Sequence, residues 1–316
     1  MRSIICATSL VLLIFALGCN LAPHHRGLGG NDGSAVKDNP ATTPTVEKLI
    51  AYLNNNAQRI PPGQALNCTN VTIDVAAEGG QVGISARMQC QAPRNFLLSG
   101  IVAGNPVVDI GSNDKEFWFW SKQFNPPYLY HCSYDALAQG VKVPFPFQPD
   151  MVLNALGLGL YDPARKYDMK IVNDKRGQPA FIELTEQTRS PENKPIQKVT
   201  VFNYHQVQQL SQPQVVAHVL KDEHGKVICS ASIRSAQQVG TNGPIIPRIV
   251  DFNWPEQKMT MRMRIENPQL IAMPPEKAAM RFTRQNLRYQ SFDLATQTLD
   301  GAGVQRAGAA GTVYQR

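Results

Sequence analysis

Between Lys258 and Glu266 the chain alternates strictly: Met259, Met261, Met263 and Ile265 fall on one face of an extended strand, with only polar or charged residues on the other. The same two-residue period runs through Val71, Ile73 and Val75, and again through Val82, Ile84, Ala86 and Met88. Between those two runs a Gly79-Gly80 turn, pairing Glu78 with Gln81, predicts a hairpin. Further strands are predicted over 96–102, 106–110, 116–122, 128–132, 167–173, 180–186, 197–204, 214–220 and 226–234. In one of these Phe117, Trp118, Phe119 and Trp120 follow one another, so both faces of that strand are apolar and something must cover each. One pair is expected to line a cavity and the other to lie beneath a covering element.

Two segments change period. Val46, Leu49, Ile50, Leu53 and Ala57 recur at helical spacing, with Thr43-Pro44 read as cap and first-turn proline and Pro61-Pro62-Gly63 as the stop. After the extended, proline-broken stretch that holds Phe145 and Phe147, residues 150–158 predict a short helix in which Met151, Val152, Leu153, Ala155 and Leu156 leave few positions polar. A helix this apolar needs cover on most of its circumference. The body therefore reads as a single antiparallel domain over 44–286 with ten or eleven strands, mainly β with helices, and 287–316 as a Gly-, Ala- and Gln-rich disordered tail.

The first residues add a compartment. Met1-Arg2-Ser3, an apolar run from Ile4 to Leu17 and then Gly18-Cys19 read as a signal peptide over 1–18 that ends in a lipobox. The run is shorter than the ~20 apolar residues of a membrane span. Bacterial lipoproteins, which this segment resembles, carry acyl chains on the cysteine in the place of Cys19, and Asn20 behind it favours the outer membrane facing the periplasm. Residues 19–43 hold almost no large apolar side chain and read as a flexible tether, in which His24-His25 are linker residues and not a metal site. The formal charge of +7 comes from positives scattered along the chain. Export and that scatter exclude nucleic acid as a partner.

Candidate chemistry is sparse. Of six cysteines, Cys68, Cys90, Cys132 and Cys229 remain beyond the lipobox. No CxxC occurs among them, which leaves disulfides, with Cys68 and Cys90 as the first candidates for a bridge. The chain has no Gly-x-Ser-x-Gly elbow, no His-Glu-x-x-His, no phosphate loop and no calcium loop. His131, His205 and His218 lie near carboxylates or hydroxyls in the sequence, yet no set of ligands or triad partners is spaced around them. The reading is of a protein that is not an enzyme and needs no cofactor or metal.

A longer pattern sits in the middle of the chain. Ala92-Pro93-Arg94-Asn95-Phe96, then Val107-Val108-Asp109-Ile110-Gly111-Ser112-Asn113, then the aromatic strand at 116–120 resemble the bacterial lipoprotein-carrier family with the LolA/LolB-like fold. Residues 247–265 resemble the late strand pair of that family. The resemblance implies an incomplete antiparallel β-barrel of about eleven strands wrapped over a helical lid, with an acyl-chain cavity between them. Two departures stand out: the family's Arg before that Pro, tied to ligand release, is Ala92 here, and Arg94-Asn95 stand where the lipidated receptors expose a Leu. The implied cavity residues are Phe96, Phe117, Trp118, Phe119, Trp120, Met151, Val152, Leu156, Met259, Met261, Met263 and Ile265.

These strands together predict an outer-membrane-anchored periplasmic lipoprotein that binds acyl chains of lipoproteins or lipids for transport or sorting. Its rivals are an envelope-stress sensor of mislocalised lipoproteins, bound to an envelope protein such as an anti-sigma factor, and a structural lipoprotein with a solid core.

Overall fold

The structure is a computed structural model that describes residues 44–141, 143, 149–206, 214–284, 289–297 and 305–306. The signal peptide, Cys19, the rest of the tether, Phe145 and Phe147 lie outside the described residues. The first element is α1 (Val46–Ala57), capped by Thr45, whose side chain accepts from the Lys48 N–H. The cap is thus two residues beyond the predicted Thr43.

Seven strands follow: β1 (Gln64–Ala77), β2 (Gly80–Gln91), β3 (Asn95–Val102), β4 (Asn105–Ser112), β5 (Glu116–Ser121), β6 (Phe124–Asn125) and β7 (Leu129–Ser133). Two short helices, α2 (Tyr134–Ala138) and α3 (Pro149–Ala155), precede β8 (Tyr167–Asn173), β9 (Pro179–Arg189), β10 (Pro195–Asn203), β11 (Val215–Asp222), β12 (Val227–Gln238), β13 (Ile245–Trp254), β14 (Met259–Glu266) and β15 (Gln269–Ala272). The chain then runs through α4 (Pro275–Arg281) to β16 (Ser291–Asp293) and β17 (Gln305–Arg306), the last paired with β6.

One sheet of 15 strands holds all but that last pair, in the order β16-β7-β5-β4-β3-β2-β1-β14-β13-β12-β11-β10-β9-β8, with β15 alongside β1. It is open: no described strand joins β8 to β16. The sheet has more strands than the predicted eleven, and two of the additional ones have a local cause. Residues 64–67 of β1 pair with β15 in the same register in which residues 70–76 pair with β14. So β14 and β15 are one strand interrupted at Asn267-Pro268, where φ is positive at Asn267 and proline offers no N–H to a ladder. The other is β16, which pairs parallel with β7 and makes the sheet mixed, not wholly antiparallel. That pairing carries the sheet past residue 286, into the segment expected to be tail.

The β1–β2 hairpin differs from the predicted register. Its turn is Glu78-Gly79, with Ala77 opposite Gly80, and a bulge between Cys68 and Val71 shifts the ladder once more. Cys68 then faces Met88 and Cys90 faces Leu66, which makes the two cysteines diagonal neighbours. Diagonal pairs stand roughly 7–8 Å apart, too far for a disulfide. All four thiols are free and buried, so the expected bridge is not formed. Burial pushes the Cys68 thiol up to about 12 and that of Cys132 to about 11, which leaves both as inert packing groups.

The alternation of β14 sorts as predicted: Met259, Met261, Met263 and Ile265 are buried while Thr260, Arg262 and Arg264 are exposed. That buried face belongs to the largest core, on the inner side of the sheet, together with α2, α3 and the inner residues of β1–β5, β7, β12 and β13. A second core lies under α1, where Leu49, Ile50 and Leu53 meet Tyr167, Ile182, Leu184 and Phe202 of β8–β10. The outer side is covered in two places: α4 sets Ala278 and Phe282 against Ala65 and Met273, and Trp118, Trp120 and Leu129 form a separate cluster with Tyr289 against it.

Candidate functional site

The aromatic strand β5 divides between the two sides of the sheet. Phe117 and Phe119 point inward and stack on one another at 6.3 Å, and Phe119 stacks on Tyr130 at 5.3 Å. Trp118 and Trp120 point outward, where the Tyr289 ring lies over Trp120 at 3.9 Å and the Trp120 indole N–H donates to the Pro127 carbonyl. Gly111 lies opposite Trp118 on β4, and a Cβ there would stand 2.3 Å from the indole ring. The sequence left open which pair faces the interior; the phenylalanines do.

Phe96, Phe117, Phe119, Met151, Val152, Leu156 and the Met259–Ile265 face therefore converge on one inner surface, whereas Trp118 and Trp120 are separated from them by the sheet. The space expected to be a cavity is occupied by α3. Val152 is 1 % exposed, Leu153 2 %, Ala155 and Leu156 0 % and Leu158 2 %, so the apolar sides of the helix are enclosed, while Asp150 and Asn154 keep one edge half-buried.

The two ends of α3 are held differently. At its C-terminal end Leu158 N–H bonds the Leu153 carbonyl across Gly157, whose φ is +74°, which is the glycine-ended helix stop. Asn56 of α1 then takes three hydrogen bonds: its amide donates to the carbonyls of Gly157 (3.1 Å) and Ile245 (2.9 Å), and its oxygen accepts from the Ile245 N–H (2.7 Å). Asn54 adds two more, both to the Tyr161 backbone at 2.8 Å. A cavity of about 40 Å³ lies beside this joint, lined by residues that include Asn56, Ala155, Gly157, His218 and Ile246. Ligand pockets are on the order of 300–1,000 Å³, so this space suits ordered water and not a lipid tail.

At the N-terminal end the ties are poor. Arg94, in the β2–β3 turn, lays its guanidinium over the Tyr134 ring at 4.3 Å and reaches Asp150 at 3.8 Å, an ion pair too long for a hydrogen bond. Asp150 Oδ1 is buried and has no hydrogen-bond partner, and the Tyr134 hydroxyl, also buried, makes no hydrogen bond of ordinary geometry and has only the Ser112 hydroxyl beside it. Burial holds the Asp150 carboxyl above its usual range although Arg94 pulls the other way. Burial and the Asp150 charge likewise push the Tyr134 phenol upward. The Tyr134 ring lies 6.0 Å from Phe117, so this polar corner borders the apolar inner face directly. Arg94 stood out in the sequence only as a departure from the carrier pattern; Tyr134 and Asp150 carried no signal, because Arg94 lies 40 or more positions away from each along the chain.

A buried polar chain on the other half of the sheet links Tyr161, Thr200 and His218, with Tyr161 Oη 2.9 Å from Thr200 Oγ1. Burial holds His218 down to about 4, so it is neutral near pH 7. His131 stands 3.8 Å from Glu116, and Glu116 is engaged by Arg284 at 3.2 Å. Among the described residues no group of histidine, cysteine and carboxylate side chains is placed to hold a metal. No helix among them is long and apolar enough to cross a membrane.

No model of a protein family matches the chain, and no curated protein matches it. Solved structures do. The chain is similar to a LolA superfamily protein from Nitrosomonas europaea, at 13% identity and a TM-score of 0.46, over 75% of this chain and 98% of that one. It is similar to a putative outer membrane lipoprotein-sorting protein domain from Vibrio parahaemolyticus, at 8% identity and a TM-score of 0.48, over 74% and 96%. A DUF1329 family protein from Desulfovibrio piger aligns at 7% identity and a TM-score of 0.45, over 71% and 92%.

Proposed function

We propose that this chain is a lipid-anchored envelope protein that shelters acyl chains on the inner face of its open sheet, where α3 lies as a displaceable internal occupant. The observation that carries this reading is the helix itself. It buries its apolar side chains against a Met- and Phe-rich surface, yet among the described residues its N-terminal end is held by one long ion pair, with Asp150 Oδ1 buried and unbonded. Methionine side chains adapt their shape readily, so a face built from Met259, Met261 and Met263 can accept either a helix or a hydrocarbon. Cys19 at the end of its signal-like segment is the proposed attachment point to the outer membrane, and residues 19–43 the tether that lets the domain reach its cargo.

No covalent chemistry belongs to the reading; transport or sorting of lipoproteins or lipids is achieved by holding the chain out of water. The test is to purify the protein, extract it with organic solvent and identify co-purifying acyl species by mass spectrometry, then follow amide hydrogen exchange as palmitate is added back. Acyl species in the extract, with exchange rising over 149–158 and unchanged in β1 and β2, are expected. An extract without acyl species, together with an exchange pattern indifferent to palmitate, refutes it.

A further inference from the structure

The N-terminal end of α3 presents the order of groups found in an anionic lipid: a carboxylate, Asp150, followed at once by the apolar run Met151, Val152, Leu153. The carboxylate lies beside a guanidinium that is already positioned. Arg94 is stacked on the Tyr134 ring at 4.3 Å, and the Arg94 carbonyl accepts from the Ser112 hydroxyl at 2.6 Å, which fixes the turn that carries it. Asp150 Oδ1 is a buried acceptor with nothing to accept from, and the Tyr134 hydroxyl is a buried donor that makes no hydrogen bond of ordinary geometry and has the Ser112 hydroxyl beside it. A buried carboxylate oxygen without a partner, next to a hydroxyl that does not bond it, describes a site whose present occupant fits it badly. The Arg94 side chain is 40% exposed, so solvent reaches the corner, and Phe117 at 6.0 Å from Tyr134 continues it into the apolar face.

The geometry points to Arg94 and Tyr134 as the receptor for the anionic head of an acyl amphiphile, a carboxylate or a phosphate, with Asp150 standing in for that head while α3 is docked. This rests on the reading in which α3 occupies the acyl site. An arriving anion with two or more acceptor oxygens can take the guanidinium at hydrogen-bond distance and the Tyr134 hydroxyl together, which the Asp150 carboxylate does not. The same exchange returns Asp150 to water as the helix leaves.

The test uses the full chain carrying Cys19→Ser, so that no anchor lipid competes, and three ligands with one sixteen-carbon chain: palmitate, palmitoyl lysophosphatidic acid and uncharged monopalmitoylglycerol. At least one of the two anionic ligands is expected to bind tenfold or more tightly than the glyceride, and which one does so identifies the head. Arg94→Gln and Tyr134→Phe, of which the second removes a single oxygen, should each shrink that ratio several-fold. Asp150→Asn should tighten binding of all three, because it loosens the occupant. Equal binding of the three ligands in the parent protein, or a ratio that survives both variants, overturns the inference and leaves the acyl site standing. Failure of all three to bind removes the acyl site as well.

Discussion

Asn56 offers the sharpest test of how the helical occupant is fastened. Replacing it with Ala deletes three hydrogen bonds at 3.1, 2.9 and 2.7 Å and leaves the Gly157 carbonyl and both backbone groups of Ile245 without that partner. A net hydrogen bond contributes ~1 kcal/mol, and a backbone group left buried and unbonded costs ~1–3 kcal/mol. The adjoining cavity of about 40 Å³ has room for water to replace part of what is lost. The expected loss is therefore about 3 kcal/mol, set by three net bonds and not by three orphaned groups. Asn54→Ala, with two bonds to Tyr161, should lose about 2 kcal/mol by the same count. Urea unfolding followed through the tryptophans reads both, and the slope should stay unchanged. Because Gly157 ends α3, Asn56→Ala should also raise the affinity for palmitate while it lowers stability. A loss under about 1 kcal/mol, or a smaller loss than that of Asn54→Ala, refutes the account of this joint.

Three further outcomes follow from the fold. Gly111→Ala places a methyl 2.3 Å from the Trp118 ring and should destabilise by about 1–3 kcal/mol in urea unfolding, whereas Gly83→Ala, whose nearest neighbour is Asp74 Oδ1 at 3.5 Å, should not. His218 titrates at about 4 in the folded chain and near ~6.5 when unfolded, so the unfolded state binds its proton first as pH falls; stability should be full above pH ~6.5 and drop by about 3 kcal/mol between there and pH ~4, a slope that His218→Gln should flatten. Cys68, Cys90, Cys132 and Cys229 should resist an alkylating reagent in the native protein and all react after denaturation without reductant; a pair that stays unreactive until reduced refutes the assignment of free thiols.

The sequence disclosed what depends on local period. The strict alternation of β14 was legible because one face meets the core and the other meets water, and each residue's environment is decided by its own parity. The helix α1 was legible for the same reason at a period of 3.6, since its apolar stripe meets Ile182, Leu184 and Phe202 on one side only. What escaped depends on pairings over distance. The hairpin register turned on one residue at Glu78-Gly79 and on a bulge after Cys68, and neither leaves a compositional mark. A three-residue strand such as β16 is too short for any periodicity, and its partner β7 lies about 160 positions earlier in the chain. The corner of Arg94, Tyr134 and Asp150 draws on a turn and two helix starts that only the folded sheet brings together.

Whether α3 or a ligand occupies the inner face is a comparison of two burials of similar size. Met151, Val152, Leu153, Leu156 and Leu158 are all buried, and five such side chains contribute roughly 10 kcal/mol at about 2 kcal/mol each. An acyl chain contributes ~0.8 kcal/mol per methylene, which gives about 12 kcal/mol for sixteen carbons and about 6 kcal/mol for eight. The occupant's unbonded polar atom, Asp150 Oδ1, subtracts ~1–3 kcal/mol from its side of the comparison. A sixteen-carbon chain can then displace the helix, and an eight-carbon chain lies near or below the point of balance. Competition of a fluorescent acyl probe with saturated fatty acids of eight, twelve and sixteen carbons should accordingly show a threshold, with octanoate ineffective and palmitate displacing the probe fully. If octanoate competes as well as palmitate does, the ligand is not exchanging with a helix of this apolar area, and the inner face is not where hydrocarbon binds.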